Sequence, residues 1–132
     1  MHPLGKVNKF DSTSKFTAEL AYVIGTILGD GCKYFDGQNY HIELSVNDKE
    51  FAETFGENLA KVLKRKKPYK PLLNRNKKQW VIVGCSILLY KFLDKPLEEL
   101  KPYIEYSKDT VSAFLRALFD GEGSIYKRIL FL

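Results

Sequence analysis

Val23-Ile24-Gly25-Thr26-Ile27-Leu28-Gly29-Asp30-Gly31 and Leu115-Arg116-Ala117-Leu118-Phe119-Asp120-Gly121-Glu122-Gly123 share one layout. Each is an apolar stretch with a small residue third (Gly25, Ala117), glycine seventh, an acid eighth and glycine ninth. Small residues at one helical position let two backbones approach closely, so the two copies read as a packed helix pair. Packing of that kind brings Asp30 and Glu122 side by side at the helix ends. Two carboxylates there repel each other, an arrangement that makes sense with divalent cations between them. A hard ion such as Mg²⁺ takes carboxylate and carbonyl oxygens plus water. Such ions activate water and stabilise a leaving oxygen in phosphodiester hydrolysis. A single Gly-acid-Gly is an ordinary helix stop with an exposed acid; two copies in register favour a shared site.

The two acids are 92 positions apart, room for one α+β unit. Residues 1–16 lack periodicity and read as an irregular lead-in. Thr17 stands as a helix N-cap, followed by Leu20, Val23, Ile24, Ile27 and Leu28 at helical spacing. Cys32 to Phe35 is a short strand, Asp36-Gly37 a turn, and Tyr40 to Val46 an alternating strand. In that second strand Ile42, Leu44 and Val46 share one face, and His41, Glu43 and Ser45 share the other.

Asp48 caps a helix from about Lys49 to Lys64, and Pro68 and Pro71 force an extended path through Tyr69 to Arg75. Asn76-Lys77-Lys78 turns the chain into a strand from Gln79 to Val83, then a helix runs from Ser86 to Leu93. Pro96 and Pro102 punctuate short helical turns. Asp109 caps a last helix that ends at Gly121-Glu122-Gly123, and Ser124 to Leu132 reads as a further strand. The expected class is α+β, with helices over the apolar face of an antiparallel sheet and a polar face left open. A ribbon of that shape fits the major groove of DNA. Trp80 has two readings: alternation places it beside Lys78 on the open face, and a one-residue slip buries it.

Hydrophobic residues are 45% and charged residues 28% of the chain, as in ordinary soluble domains. No apolar run reaches the roughly 18 residues that cross a bilayer, and the N-terminal segment lacks the apolar core of a signal peptide. A non-membrane, intracellular protein is expected. Cys32 and Cys85 read as small apolar residues rather than zinc ligands or a disulfide framework. The net charge is +5, and no Asp or Glu occurs from Asn58 to Leu93, where ten Lys and Arg fall. Such a stretch suits a polyanion, because each cation set against a phosphate releases counterions. A solvated lysine-rich face has the same composition.

The paired motifs resemble those of the LAGLIDADG homing endonuclease family. The resemblance spans residues 17–132 and implies an αββαββα unit (17–106) with a four-stranded antiparallel DNA-binding sheet. A second motif helix and the start of a second half (107–132) follow. By matching positions, it implies Asp30 and Glu122 as catalytic metal ligands, with the Gly29 and Gly121 carbonyls in support. Gly25 and Ala117 become the helix-packing residues, and Asp120 a structural or solvated acid. Tyr34, Gln38, His41, Glu43 and Ser45 on the first hairpin would contact DNA, as would Lys70, Asn74, Arg75, Lys77 and Lys78 on the second. The implied cofactor is Mg²⁺ or a similar ion such as Mn²⁺, and the implied partner is double-stranded DNA cut at a long site, often within an intron or intein setting.

Two departures stand out. Asn47 occupies the place where members often carry an active-site lysine, with Lys49 nearby. The chain also stops nine residues after Gly123, so only one DNA-binding half is expected, to be completed by self-association or a partner. The last helix is expected to dock on the first within one chain, leaving the terminal strand exposed or paired with a neighbour. The alternative function is a non-enzymatic DNA-binding remnant or regulator on the same scaffold; a small α+β protein unrelated to DNA is the third.

Overall fold

The structure, a computed structural model, describes residues 10–130, with side chains described as far as Glu122. A 3-10 helix at Ser12–Ser14 precedes α1 (Ala18–Gly29), β1 (Cys32–Phe35), β2 (Tyr40–Val46) and α2 (Lys49–Val62). Then come β3 (Leu72–Asn74), β4 (Gln79–Cys85), α3 (Ile87–Leu93), α4 (Leu97–Ile104) and α5 (Lys108–Leu130). The strands form one antiparallel sheet in the order β1-β2-β4-β3.

Helix starts follow local chemistry. The Thr17, Asp48 and Ser86 side chains accept backbone N–H groups in the first turns of α1, α2 and α3. α5 is capped differently from expectation. Ser107, not Asp109, receives the Thr110 N–H at 3.2 Å, while the Thr110 hydroxyl oxygen receives the Ser107 N–H at 2.9 Å. This reciprocal pair leaves Asp109 in the first helical turn, where its charge suits the helix dipole.

Ile42, Leu44 and Ile82 point from the sheet into a core with Leu20, Ile24, Phe55 and Leu59, all essentially without solvent exposure. Pairing of Val46 with Trp80 and Leu44 with Ile82 puts Trp80 on this helix-covered face. Trp80 is half-buried against the core, with the Lys49 ammonium 4.8 Å from its ring centre. The buried reading of Trp80 therefore holds. The turn spans residues 75–78, one longer than Asn76-Lys77-Lys78, and that extra residue sets the parity of β4.

Three elements differ from the sequence expectation. The lead-in, expected to be irregular, carries the 3-10 helix Ser12–Ser14 and is anchored, with Phe10 buried in the core and Ser14 donating a 3.0 Å hydrogen bond to the Val62 carbonyl; residues 1–9 lie outside the described residues. α4 runs through Pro102 rather than breaking there. The missing proline N–H weakens one turn, but buried Leu100 and Ile104 anchor the helix on both sides of it. Finally, α5 does not stop at Gly121-Glu122-Gly123 but continues to Leu130, where a strand was expected. A glycine costs a helix only about 1 kcal/mol, and a helix satisfies its own backbone where a strand needs a partner edge. Residues 131 and 132 lie outside the described residues.

Candidate acidic helix pair and nucleic-acid interface

α1 and α5 pack against each other, as the paired motifs require, and their crossing is built on the two small residues. A Cβ at Gly25 would lie 2.8 Å from the Phe114 carbonyl oxygen and 2.9 Å from the Ala117 Cβ. Nothing larger than glycine fits there without parting the helices. One turn on, Leu118 Cδ2 comes within 3.8 Å of the position a Gly29 Cβ would take. Tyr22 and Thr26 are buried in α1, and Tyr22 donates a 2.5 Å hydrogen bond across the pair to Asp120. Burial, then the hydrogen bond and charge of Asp120, push the Tyr22 phenol far above its ordinary range, so it stays a neutral donor. Asp120 also lies 3.9 Å from Arg116. It is engaged in joining the helices, the structural role the motif position suggested.

α1 ends where the Thr26 carbonyl accepts both the Asp30 and Gly31 N–H groups at 2.8 Å. Asp30 is the C-cap and is exposed. Its carboxylate fills the notch left by the missing Gly121 side chain; a Cβ on Gly121 would overlap it. Asp30 thus sits against the residue that precedes Glu122. Glu122 is exposed and lies within the continuous α5, so only one of the two acids stands at a helix end. Gly31 lets the chain pass close to β2, since a Cβ there would come 3.0 Å from the Glu43 carbonyl oxygen.

Asp30 and Glu122 are both exposed carboxylates, hard oxygen donors of the kind Mg²⁺, Mn²⁺ and Ca²⁺ take. Among the described residues, no three His, Cys, Asp or Glu side chains cluster as a ready-made metal cage.

On the sheet, strand register places Tyr34, His41, Glu43 and Ser45 on the face away from the helices. They form a linked polar group. The Tyr34 hydroxyl donates to Glu43 at 3.0 Å, the Ser45 hydroxyl donates to the other Glu43 oxygen at 3.2 Å, and the Tyr34 ring stacks on His41. His41 Nε2 lies 2.6 Å from Asp36, and its Nδ1 lies 3.5 Å from the Cys85 sulfur. Desolvation, then Glu43, raises the Tyr34 phenol. The Asn39 N–H, then His41 and the Gln38 N–H, hold the Asp36 carboxyl down at about 2. Desolvation raises both cysteine thiols, with Glu43 adding at Cys32 and Asp36 at Cys85, so neither is an activated nucleophile. The pairing of His41 with Asp36 and Cys85 was not legible beforehand, because Cys85 arrives from β4 through strand register alone.

Gln38 is exposed in the first hairpin turn. Lys70 is exposed ahead of β3, and Arg75, Lys77 and Lys78 are exposed in the turn 75–78. Asn74 is turned inward on its own loop, its side-chain oxygen accepting the Asn76 N–H at 3.1 Å and the Lys77 N–H at 3.3 Å. The expected uniform polarity of this face is not found. Register puts Leu72, Val81 and Val83 on it beside the polar group, because β4 presents its odd residues outward. Asn47 is exposed, and Lys49 is drawn to Trp80.

Among the described residues, no helix is long and apolar enough to cross a membrane. No protein-family model matches the chain. An uncharacterized protein of Methanocaldococcus jannaschii is 32% identical over 128 residues, covering 94% of this chain and 45% of that protein. A second uncharacterized protein of the same organism is 31% identical over 108 residues, covering 80% and 41%. The chain therefore spans less than half the length of the curated relatives it matches. Among solved structures it is similar to the homing endonuclease I-DmoI in complex with DNA and Mn, with a TM-score of 0.54 and 16% identity over 80% of this chain and 62% of that one. It is also similar to mesophilic variants of I-DmoI, with a TM-score of 0.58 and 18% identity over 80% and 57%. At these identities the likeness establishes the architecture: the four-stranded sheet and its helices have the LAGLIDADG fold of I-DmoI.

Proposed function

We propose that this chain, built on the LAGLIDADG fold, is one DNA-binding half, with both acidic helices, of a divalent-metal-dependent double-strand DNA endonuclease of the homing type. The observation that supports this most is the seating of the Asp30 carboxylate against Gly121, beside Glu122, beyond a helix crossing built on Gly25 and Ala117. The similar I-DmoI structures contain target DNA with Mn or Mg, or DNA with Ca, which agrees with the oxygen donors here.

In this reading Asp30 and Glu122, helped by the Gly29 carbonyl in the last turn of α1, would hold one or more divalent ions; the Gly121 carbonyl, expected to assist, lies inside the continuous α5 and is taken up by the helix. When bound, the ion supplies charge neutralisation at the scissile phosphate and acidifies a water. The chain's own residues do the rest. The Gly25–Ala117 crossing and the Tyr22–Asp120 bond fix the spacing of the acids, and the Gly121 notch sets the direction of the Asp30 carboxylate. Lys70, Arg75, Lys77 and Lys78 meet phosphates, which positions the duplex without reading it. Gln38 and the polar group Tyr34, His41, Glu43 and Ser45 face the base edges, while Asn74, its side-chain oxygen taken by the Asn76 and Lys77 N–H groups, shapes the turn that presents the cations. Both strands of a long site call for a second half, supplied by further sequence, self-association or a partner.

The test is binding and nicking of supercoiled plasmid by the purified chain with Mg²⁺, Mn²⁺ or EDTA, beside the Asp30→Asn/Glu122→Gln variant. Metal-dependent cutting lost in the variant supports the proposal. Binding without cutting, unchanged by the variant, favours the alternative of a non-enzymatic DNA-binding protein on the same scaffold. Absence of both activities overturns the DNA reading.

A further inference from the structure

The outward sheet face is chemically divided. On the β1–β2 side it carries Tyr34, His41, Glu43 and Ser45, whose polar atoms are already joined to one another. On the β4–β3 side it carries an apolar strip. Leu72 lies directly opposite Val81, and Val83 follows two residues along the same strand, opposite Glu43. Two of these side chains are exposed, Leu72 at 73% and Val83 at 37%, and Val81 beside them is partly covered. A 73% exposed leucine on an edge strand contributes little to folding and invites strand pairing, so its presence asks for a partner.

The surroundings specify the partner's charge. The strip ends at the turn bearing Arg75, Lys77 and Lys78, with Lys70 just ahead of β3, and no acid occurs between Asn58 and Leu93. An apolar protein partner gains nothing from that many cations, whereas a duplex offers phosphates at the groove walls and apolar groups on its floor. The apolar groups that B-DNA displays in the major groove are the C5-methyls of thymine. We propose that Leu72, Val81 and Val83 form a thymine-methyl-reading strip, so that the half-site carries thymines beneath the β3–β4 side of the sheet. This rests on the reading of the sheet as a DNA surface and adds to it a base preference. It also divides the labour on the sheet: cations on the second-hairpin turn set the register, and the aliphatic strip beside them discriminates.

Replacing thymidine by deoxyuridine removes only the methyl and leaves pairing and charge intact. Duplexes that the chain enriches from a randomised library would be remade with deoxyuridine at each dT in turn. Affinities would then be measured by fluorescence anisotropy for the wild type, Val83→Ala and Leu72→Ala. Burial of one methyl corresponds to roughly a fourfold change in affinity. The strip predicts about that loss at one or more positions, and near-disappearance of the loss in at least one variant. Both variants replace exposed side chains, and their thermal unfolding should match the wild type. Enrichment and tight binding with no dT/dU difference at any position would overturn the strip while leaving the DNA reading intact. Failure to enrich any duplex would overturn the DNA reading and the strip with it. A dimer dispersed by Leu72→Lys would assign the strip to a second copy of the chain instead, and would also overturn it.

Discussion

Tyr22 reaches from α1 to Asp120 on α5 with a 2.5 Å hydrogen bond, the one polar bridge between the two motif helices among the described side chains. A half-buried carboxylate is left with only a 3.9 Å approach from Arg116 if the phenol is removed. Tyr22→Phe is therefore expected to destabilise the fold by about 1.5–3 kcal/mol, the usual worth of a hydrogen bond to a charged group. Urea denaturation measures it, and an unchanged midpoint would deny the bond a structural role.

Gly121 and Gly25 should answer differently to the same substitution. At Gly121 the added methyl meets the exposed, rotatable Asp30 carboxylate. Gly121→Ala is expected to keep or slightly raise stability, since alanine favours the helix by about 1 kcal/mol, while displacing the carboxylate and abolishing metal-dependent cutting. At Gly25 the methyl meets the Phe114 backbone and the Ala117 Cβ, neither of which can turn aside. Gly25→Ala should cost about 1–3 kcal/mol by overpacking. Thermal unfolding together with plasmid nicking separates the two outcomes; equal loss of stability in both variants would contradict the account of the Gly121 notch.

The first hairpin should loosen in acid. The Asp36 carboxyl is held at about 2, below its ordinary 3.8, by the Asn39 N–H, His41 and the Gln38 N–H. A depressed carboxylate contributes stability that is present above its unfolded pKa and is lost as pH falls through the folded one. The Gln38 and Asn39 amides should therefore exchange faster as pH drops from about 4 toward 2, after correction for intrinsic rates, and Asp36→Asn should remove that pH dependence. Amide exchange followed by NMR is the measurement, and flat protection over that window would refute it.

Cations on the second-hairpin side should reveal themselves through salt. If Lys70, Arg75, Lys77 and Lys78 each meet a phosphate, changing any one to alanine should reduce the slope of log affinity against log salt by about 0.9. Sequence preference should be little altered, because phosphate contacts carry no base information. Wild-type slopes in all four variants would place the duplex elsewhere.

What could be read from the chain followed the strength of each local signal. The helix crossing was visible because Gly25 and Ala117 recur in register, and the first hairpin because Asp36-Gly37 and the alternation of residues 40–46 agree. Trp80 was not decidable, since β4 reverses its faces with one residue more or less in the turn, and no signal in 75–78 fixes that number. The same ambiguity concealed the apolar strip, which exists only because β4 points Val81 and Val83 outward. The end of α5 departs from expectation because a Gly-acid-Gly that stops α1 at Asp30 lies within a continuing helix at Glu122. In the first copy the Thr26 carbonyl takes two N–H groups and the chain turns into β1; the second copy has no such strand directly after it among the described residues.

The parity of β2 and β4 separates two sets of residues that share a backbone and nothing else. Ile42, Leu44 and Ile82 are sealed in the core, while their immediate neighbours His41, Glu43, Ser45, Val81 and Val83 face outward. If the outward face reads DNA as proposed, folding is insulated from recognition at single-residue resolution. Outward positions can drift through many identities at small thermodynamic cost, while inward ones are held by packing. On that reading, a lineage built this way would track a moving target sequence by exchanging alternate letters of two strands, never touching the helices that carry its acids.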